Sequence, residues 1–324
     1  MRFIKAFFVF IVIFTPLRAI ELIDGTELVF ADSAAAAALV ITDDDYMQRI
    51  SAYDRSASLR TDREVSVAEY KQHLARNVQN WPDSLKTMFE QFARNHHTQL
   101  QALQLNLPGK IILIRTSGDE VGGVSVAYTR MNTIVYTDLM LAGAPKAALE
   151  NTFIHEIFHV YSRHNRDMRS RFYEIIGFEI GPELTLPQDW FERHITNPDA
   201  PEMNCYATLP TEEGAVRVAP FIYATRPVYD VSKPGGIFQS LSFVLLRVEE
   251  KNGQIIPIME KGRPLMINAY KTPAFWKMVG TNTNYVIHPE EIMASNFTFL
   301  VTGKKDLPNP EIIEKMKNIF LNKQ

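Results

Sequence analysis

The fold of this chain is decided by residues 152–161, which read TFIHEIFHVY. In an α-helix, residues four apart lie on the same face, so His155 and His159 stand one turn apart and point the same way. Two imidazoles in that arrangement can bind one metal ion, and Glu156 lies beside them, within reach of a water on that ion. The pattern therefore predicts the chemistry of a zinc hydrolase.

The motif needs a helix around it, and the flanking residues predict one over 146–164. Pro145 suits the start of a helix, and Asn165 suits its end. With histidine counted as neutral, Glu156 is the one charged residue in 152–161, so the helix is expected to be buried on most sides. The alternative is an ordinary core helix whose histidines bond to backbone or carboxylate groups.

A zinc site of this kind needs a third protein ligand. His164 points away from the face of the two motif histidines and is interpreted as a helix-end residue favoured by the dipole. A better candidate lies in residues 285–297, YVIHPEEIMASNF, where Pro289 suits the first turn of a second helix. Glu290 and Glu291 fall in that turn, where simple helix-end charge is the alternative explanation for them.

Together, HEIFH (155–159) and HPEEIMASNF (288–297) resemble the gluzincin group of zinc metallopeptidases. In that group a second helix supplies a glutamate ligand from a Glu-x-x-Ala-Asp pattern. The resemblance therefore implies Glu291 as the third ligand, one Zn²⁺ per chain and Glu156 as the general base. It also implies a peptide or protein substrate.

Three positions distinguish between related groups of zinc peptidases and show where this chain departs from the gluzincin pattern. A metzincin would need glycine at 162 and histidine at 165, where this chain has Ser162 and Asn165. The gluzincin pattern itself has aspartate four residues after the ligand, supporting a histidine, whereas this chain has Ser295. Ser295 favours the alternative function, a non-catalytic, metal-stabilised binding module. The intact Glu156 favours the enzyme, because a binder needs no base.

Peptide hydrolysis also requires a hydrogen-bond donor for the developing oxyanion. Tyr285 and His288 come just before the predicted Glu291 helix, so both are candidates for that role. Packing is the alternative role for each.

Composition and the N-terminal sequence indicate which partners and which cellular location to expect. With 46% hydrophobic and 22% charged residues, the chain is typical of a globular protein, and its net charge of −3 does not favour nucleic acid as a partner. The single Cys205 excludes an intrachain disulfide.

Residues 1–19 combine Arg2 and Lys5 with the apolar run 6–14, as a signal peptide does. We expect export to a bacterial periplasm or the medium, without a stable membrane span after cleavage; an uncleaved N-terminal anchor is the alternative.

The predicted fold class is α+β. After residues 1–19, a mainly helical region covers 20–105, with a capped helix start at the aspartates of 43–45. A zincin-like metallopeptidase domain then covers 106–324, with a mixed sheet packed on the HEIFH helix and a β-rich insert over 182–284. In gluzincins the strand just before the HEIFH helix lies at the edge of the substrate cleft. The resemblance therefore implies that residues 132–138 form this edge strand.

Overall fold

The computed structural model describes residues 20–212 and 214–321 and shows an α+β protein built around two sheets. The expected signal segment, 1–19, lies outside the described residues. In the described part of the chain, none of the helices has the length and apolar character needed to cross a bilayer.

The first sheet comes from the N-terminal half of the chain. Its strands are β1 (Ile20–Ile23), β2 (Thr26–Phe30), β3 (Val78–Gln79), β4 (Lys110–Thr116), β5 (Ala127–Arg130) and β6 (Thr133–Thr137). Their order is β1-β2-β4-β6-β5, with β3 paired to β4. β2, β4 and β6 are parallel, whereas β1 and β5 run antiparallel at the two edges, so the sheet is mixed.

The second sheet is antiparallel and comes mostly from the predicted insert. Its strands are β7 (Phe178–Ile180), β8 (Cys205–Thr211), β9 (Gly214–Ala224), β10 (Leu241–Lys251), β11 (Gln254–Pro257) and β14 (Met266–Ile267), with β12 (Met259–Glu260) and β13 (Arg263–Pro264) as a separate ribbon. The dipeptide Asn252-Gly253 predicts a two-residue hairpin turn, and the structure confirms this turn between β10 and β11. Asn252 and Gly253 both have positive φ, as a type I′ turn requires.

The described residues form eleven α-helices. They are α1 (Ser33–Val40), α2 (Ala52–Ser58), α3 (Val67–Arg76), α4 (Asp83–Ala102), α5 (Asp138–Gly143), α6 (Lys146–His164), α7 (Arg166–Glu174), α8 (Gln188–Phe191), α9 (Pro273–Val279), α10 (Pro289–Thr302) and α11 (Pro310–Leu321). Strand alternation divides the core: Leu113 and Tyr136 pack with α4 and α6, while Ile114 and Val135 face α1 and α3. The predicted bounds of α6 are confirmed at both ends.

The N-terminal region belongs to the same sheet as the rest of this half. It contains α1 to α4, as a mainly helical region should, but it also supplies β1, β2 and β3. β2 pairs in parallel with β4 from Glu27–Lys110 to Phe30–Leu113. Short-range periodicity does not show such pairing, because the partner strand lies far along the chain.

The predicted helix start at 43–45 is wrong. The residues after it form turns rather than a helix. Asp44 accepts a hydrogen bond from Met47 N, but its carboxylate also pairs with Arg130 of β5: Nε lies 2.8 Å from Oδ2 and Nη2 lies 2.9 Å from Oδ1. Both side chains are buried. A long-range ion pair therefore uses the carboxylate that the sequence assigned to a helix cap.

The placement of 132–138 at the cleft edge is also wrong. β6 is paired on both sides, with β4 and with β5. β5 is the edge strand, and it packs directly on α6. An internal strand has no free backbone groups to offer, so an extended ligand beside α6 would pair with β5 rather than with β6.

Replacing Arg130 with Met should lower the free energy of unfolding by about 3–5 kcal/mol, because Asp44 would remain buried without its partner. Urea unfolding followed by circular dichroism measures this loss. The exposed pair of Arg63 and Glu69 provides the control, since Arg63→Met should cost less than about 1 kcal/mol. Equal losses in the two variants would contradict a special role for the buried pair.

Candidate metal centre

The two motif histidines lie on one face of α6, and their ring centres are 4.7 Å apart. The helix packs against β5, α4, α7 and α10. Phe158 anchors the contact with α10, where its ring centre lies 5.5 Å from that of Phe297. This packing sets the His155 and His159 side chains against the first turn of α10.

That turn brings one carboxylate to both imidazoles. Glu291 Oε2 lies 3.0 Å from His155 Nε2 and 3.5 Å from His159 Nε2. One ligand atom from each of the three residues lies within 4.8 Å of the other two. Ligand atoms about 2.0–2.1 Å from a tetrahedral zinc are roughly 3.4 Å apart, so this spacing fits a zinc ion.

His159 is almost fully buried, and its Nε2 atom makes no hydrogen bond to any described residue. The 3.5 Å contact with Glu291 Oε2 is at the outer limit of distance and does not satisfy that atom. A buried polar atom without a partner costs about 1–3 kcal/mol. A metal ion shared by His159 and Glu291 would remove this cost.

A second layer of side chains fixes the orientation of His159. Its Nδ1 lies 3.0 Å from Glu290 Oε1. The other oxygen of Glu290 accepts hydrogen bonds from Ser162 Oγ (2.8 Å) and Tyr173 OH (2.5 Å), and Arg169 Nε donates to Ser162 Oγ. A proton on Nδ1, held by Glu290, leaves the Nε2 lone pair free for a metal.

Glu290, rather than residue 295, therefore supports the histidine. Ser295 lies on the wall of the adjacent cavity, and its hydroxyl makes no hydrogen bond to the described residues. The sequence did contain the signal, in the form of two consecutive glutamates at the start of α10. Successive helical residues point in different directions, so Glu291 can face the metal position while Glu290 faces the far side of His159.

Glu156 is buried and held in place by β5. Thr129 Oγ1 donates a hydrogen bond of 2.8 Å to Glu156 Oε2. The same carboxylate lies within 4.8 Å of a ring nitrogen of His159. Glu156 thus adjoins the proposed ligands without belonging to the set that contains His155 and Glu291.

Sequence reasoning missed two residues of this site, Asn197 and Asp199. Asn197 Nδ2 donates to Glu291 Oε1 at 2.7 Å. Asp199 lies within 4.8 Å of both Glu156 and His159, and its Oδ1 accepts a 2.5 Å hydrogen bond from the backbone N–H of Thr129. Both residues lie on a proline-containing loop without periodicity, so no sequence pattern marked them.

The metal-site cavity, defined as the space lined by His155, Glu156, Asp199, Tyr285 and Glu291, has a volume of about 350 Å³. Its remaining lining is mainly apolar or uncharged: Val126, Ala127, Met140, Asn151, Thr152, Ser295, Thr298 and Phe299. Tyr285 stands at the rim, 46% exposed, with its ring centre 6.3 Å from that of His155. This position suits the predicted donor role.

The structure does not bring His288 to the metal-site cavity. His288 caps α10, where its Nδ1 accepts a hydrogen bond from Glu290 N at 3.1 Å. Its ring lines a separate small space, together with His194 and Cys205. Of the two candidate oxyanion donors, Tyr285 is therefore the one with suitable placement.

Charges in the site influence one another strongly. Burial lowers the pKa of His155, and burial together with the Asp199 carboxylate raises the pKa of Glu156 well above its usual range. Burial also opposes charge on His159 and Glu291. For His159 the carboxylates of Asp199 and Glu291 outweigh it and raise the pKa, whereas nearby His159 lowers the pKa of Glu291. Burial raises the pKa of Asp199 to about 7. Carboxylates concentrated around one imidazole in this way also attract a divalent cation.

Comparison of the chain with protein-family models, curated proteins and solved structures gave no match. The geometry and chemistry of the site therefore carry the functional proposal.

Purified wild-type protein should contain about one zinc per chain, and Glu291→Ala should lose most of it, because two imidazoles alone hold zinc weakly. Elemental analysis after reconstitution and desalting measures the content. Glu311→Ala is the matched control, since Glu311 occupies the first turn of α11 and is exposed. Zinc-free wild type would remove the metal centre, and equal zinc in wild type and Glu291→Ala would move the third ligand elsewhere.

Glu290→Gln should weaken zinc binding by about 10–100-fold, because the amide supports His159 less well than a carboxylate. Competition with a chelating dye gives the affinity. Ser295→Ala should change it little, since Ser295 contacts neither histidine through a hydrogen bond. A larger loss of zinc affinity in Ser295→Ala than in Glu290→Gln would show that residue 295, four residues after Glu291, supports the histidine instead.

Proposed function

We propose that this chain is a zinc-dependent peptidase. One observation carries the proposal: Glu291 Oε2 lies 3.0 Å from His155 Nε2 and 3.5 Å from His159 Nε2, close to the spacing of two ligands on one zinc ion, while Glu156 lines the same cavity as a separate carboxylate. Three protein ligands leave a fourth position open for a water, which is the arrangement of catalytic rather than structural zinc.

A zinc ion held by His155, His159 and Glu291 would supply a Lewis acid, which would make water easier to deprotonate and the substrate carbonyl easier to attack. Glu156 accepts a proton from the water as its oxygen attacks the carbonyl carbon, and then passes that proton to the departing nitrogen. A C–O bond forms, the C–N bond breaks, and one water is consumed. Thr129 holds Glu156 in position for both transfers.

Tyr285 is the proposed donor to the developing oxyanion. Its side chain lines the metal-site cavity, and its hydroxyl group makes no hydrogen bond to the described residues, so the hydroxyl is available to a substrate. A donor of this kind typically contributes about 10²–10³-fold to the rate.

The arrangement around α6 supports a zincin-like core. A mixed sheet lies against the helix that carries the histidines, and its antiparallel edge strand, β5, adjoins that helix. Strand β5 can bind an extended peptide through its free backbone groups. The proposed substrate is therefore a peptide or an unfolded protein segment.

The feature that favours the alternative function, a metal-stabilised binding module, is Ser295 in place of an aspartate that supports a histidine. Glu290 supplies that support to His159, so Ser295 no longer favours the binding module over the enzyme. The signal-like residues 1–19 support action outside the cytoplasm, in a periplasm or in the medium.

Glu156→Gln should reduce kcat/KM by about 10²–10⁴-fold, because the amide cannot accept the proton of the water. Mass spectrometry of a mixture of free and N-acetylated peptides measures hydrolysis without assuming a cleavage preference. Zinc content and thermal stability should remain close to those of the wild type.

Glu150→Gln is the matched control, since Glu150 lies on α6 but contacts His96 instead of the cavity. Hydrolysis that survives in Glu156→Gln would remove Glu156 as the base. Peptide binding without any hydrolysis in the wild type would favour the binding module.

A further inference from the structure

Asp199 is a buried carboxylate with unused bonding capacity. It is 8% exposed and lines the metal-site cavity. Among the described residues, the backbone N–H of Thr129 is the one hydrogen-bond donor to its carboxylate, and no arginine or lysine forms an ion pair with that carboxylate. An ionised carboxylate can accept about four hydrogen bonds. Asp199 can therefore bind a cationic group that enters the cavity.

The direction of β5 determines which end of a peptide reaches Asp199. Val126 and Thr137 bond to each other through Thr137 N and Val126 O, so Val126 faces β6. Alternate residues then face outward, and the bond from Thr129 N to Asp199 agrees with this. Ala127 and Thr129 are thus the outward positions. A peptide lying antiparallel to β5 has its amino end at Thr129 and its carboxyl end at Ala127.

The loop that carries Asp199 closes the cleft at the amino end. Thr196 N donates to Asp54 Oδ2 at 3.0 Å, Asn197 is bonded to Glu291, and Arg163 donates to the carbonyl of Pro198 at 2.6 Å. These contacts fix the loop from three sides. A peptide that extended farther would need the backbone N–H of Thr129, which Asp199 already occupies.

The reacting bond lies next to this closed end. Thr129 also holds Glu156, so the base and the end of the cleft are at the same residue. Within an amino acid, the amino nitrogen is about 2.5 Å from the carbonyl carbon. A carbonyl attacked beside Glu156 therefore places the amino group of the same residue within reach of Asp199.

On the basis of the proposed peptidase function, we infer that Asp199 binds the free α-amino group of the substrate and makes the enzyme an aminopeptidase. The ammonium group supplies hydrogen-bond donors to a carboxylate that has one such donor, Thr129 N, among the described residues. The first residue is then released by hydrolysis of the bond that follows it, and the rest of the peptide extends along Ala127 toward Val126 and Met140.

The test compares peptides that differ only in acetylation of the N-terminus. With zinc-loaded wild type, kcat/KM for the free peptide should exceed that for the acetylated peptide by about 10²-fold or more, because acetylation removes the charge that Asp199 binds. Products should show removal of one residue at a time. This comparison needs no variant, so it does not depend on the folding of a mutant.

Asp199→Asn should abolish most of the preference, mainly by raising KM for the free peptide, with zinc affinity unchanged. Asp189→Asn is the matched control, because Asp189 is exposed in α8 outside the cavity. Calorimetric binding of both peptides to the zinc-loaded Glu156→Gln variant adds a readout independent of turnover. The free peptide should bind more tightly there, and the double variant carrying Asp199→Asn should lose the difference.

Equal cleavage of free and acetylated peptides would overturn the inference and leave the peptidase proposal intact. Loss of zinc from Asp199→Asn would also overturn it, since Asp199 would then be a metal ligand. If no peptide is hydrolysed, the peptidase proposal fails, and the calorimetric comparison alone tests whether Asp199 binds the α-amino group. Selective binding of the free peptide through Asp199 would still support recognition of the amino group, and equal binding would refute it.

Discussion

The site depends on the contact between one buried imidazole and two consecutive glutamates. His159 has Glu290 on one ring nitrogen and Glu291 near the other. Burying an imidazole and two carboxylates costs free energy unless each group has a partner. Few arrangements of α6 and α10 would therefore keep these contacts. Rotation of α10 by one residue would exchange the two carboxylates and break both contacts. The ionic groups therefore fix the rotational register of α10 against α6.

The acidic groups of the site receive hydrogen bonds from donors on several separate elements. Thr129 of β5 serves both Glu156 and Asp199, Asn197 of the loop serves Glu291, and Tyr173 of α7 serves Glu290. A helix pair alone could hold the ligands but could not orient them. The first sheet and the loop between α8 and β8 provide the orientation, so the geometry of the site is a property of the whole fold.

Sequence patterns predicted the parts of this structure that local forces decide. The bounds of α6 follow from Pro145 and Asn165, and the turn at Asn252 and Gly253 follows from their tolerance of positive φ. Long-range choices were not predictable. Asp44 resembled a helix cap, but its partner Arg130 lies 86 residues away. Asp199 gave no periodic signal, because a loop places it, and the role of β5 as the edge strand depends on sheet order.

Parallel pairing of β2 with β4 also has a consequence for biosynthesis. The two strands are separated by about 80 residues, and a chain synthesised at about 5–20 residues per second needs several seconds to make that stretch. During this time β2 has β1 as its one strand partner, and one edge of the hairpin stays unpaired. Residues 20–30 therefore wait for about 80 residues of further synthesis before the parallel pairing forms, and a chaperone that acts early on this chain would be expected to bind there.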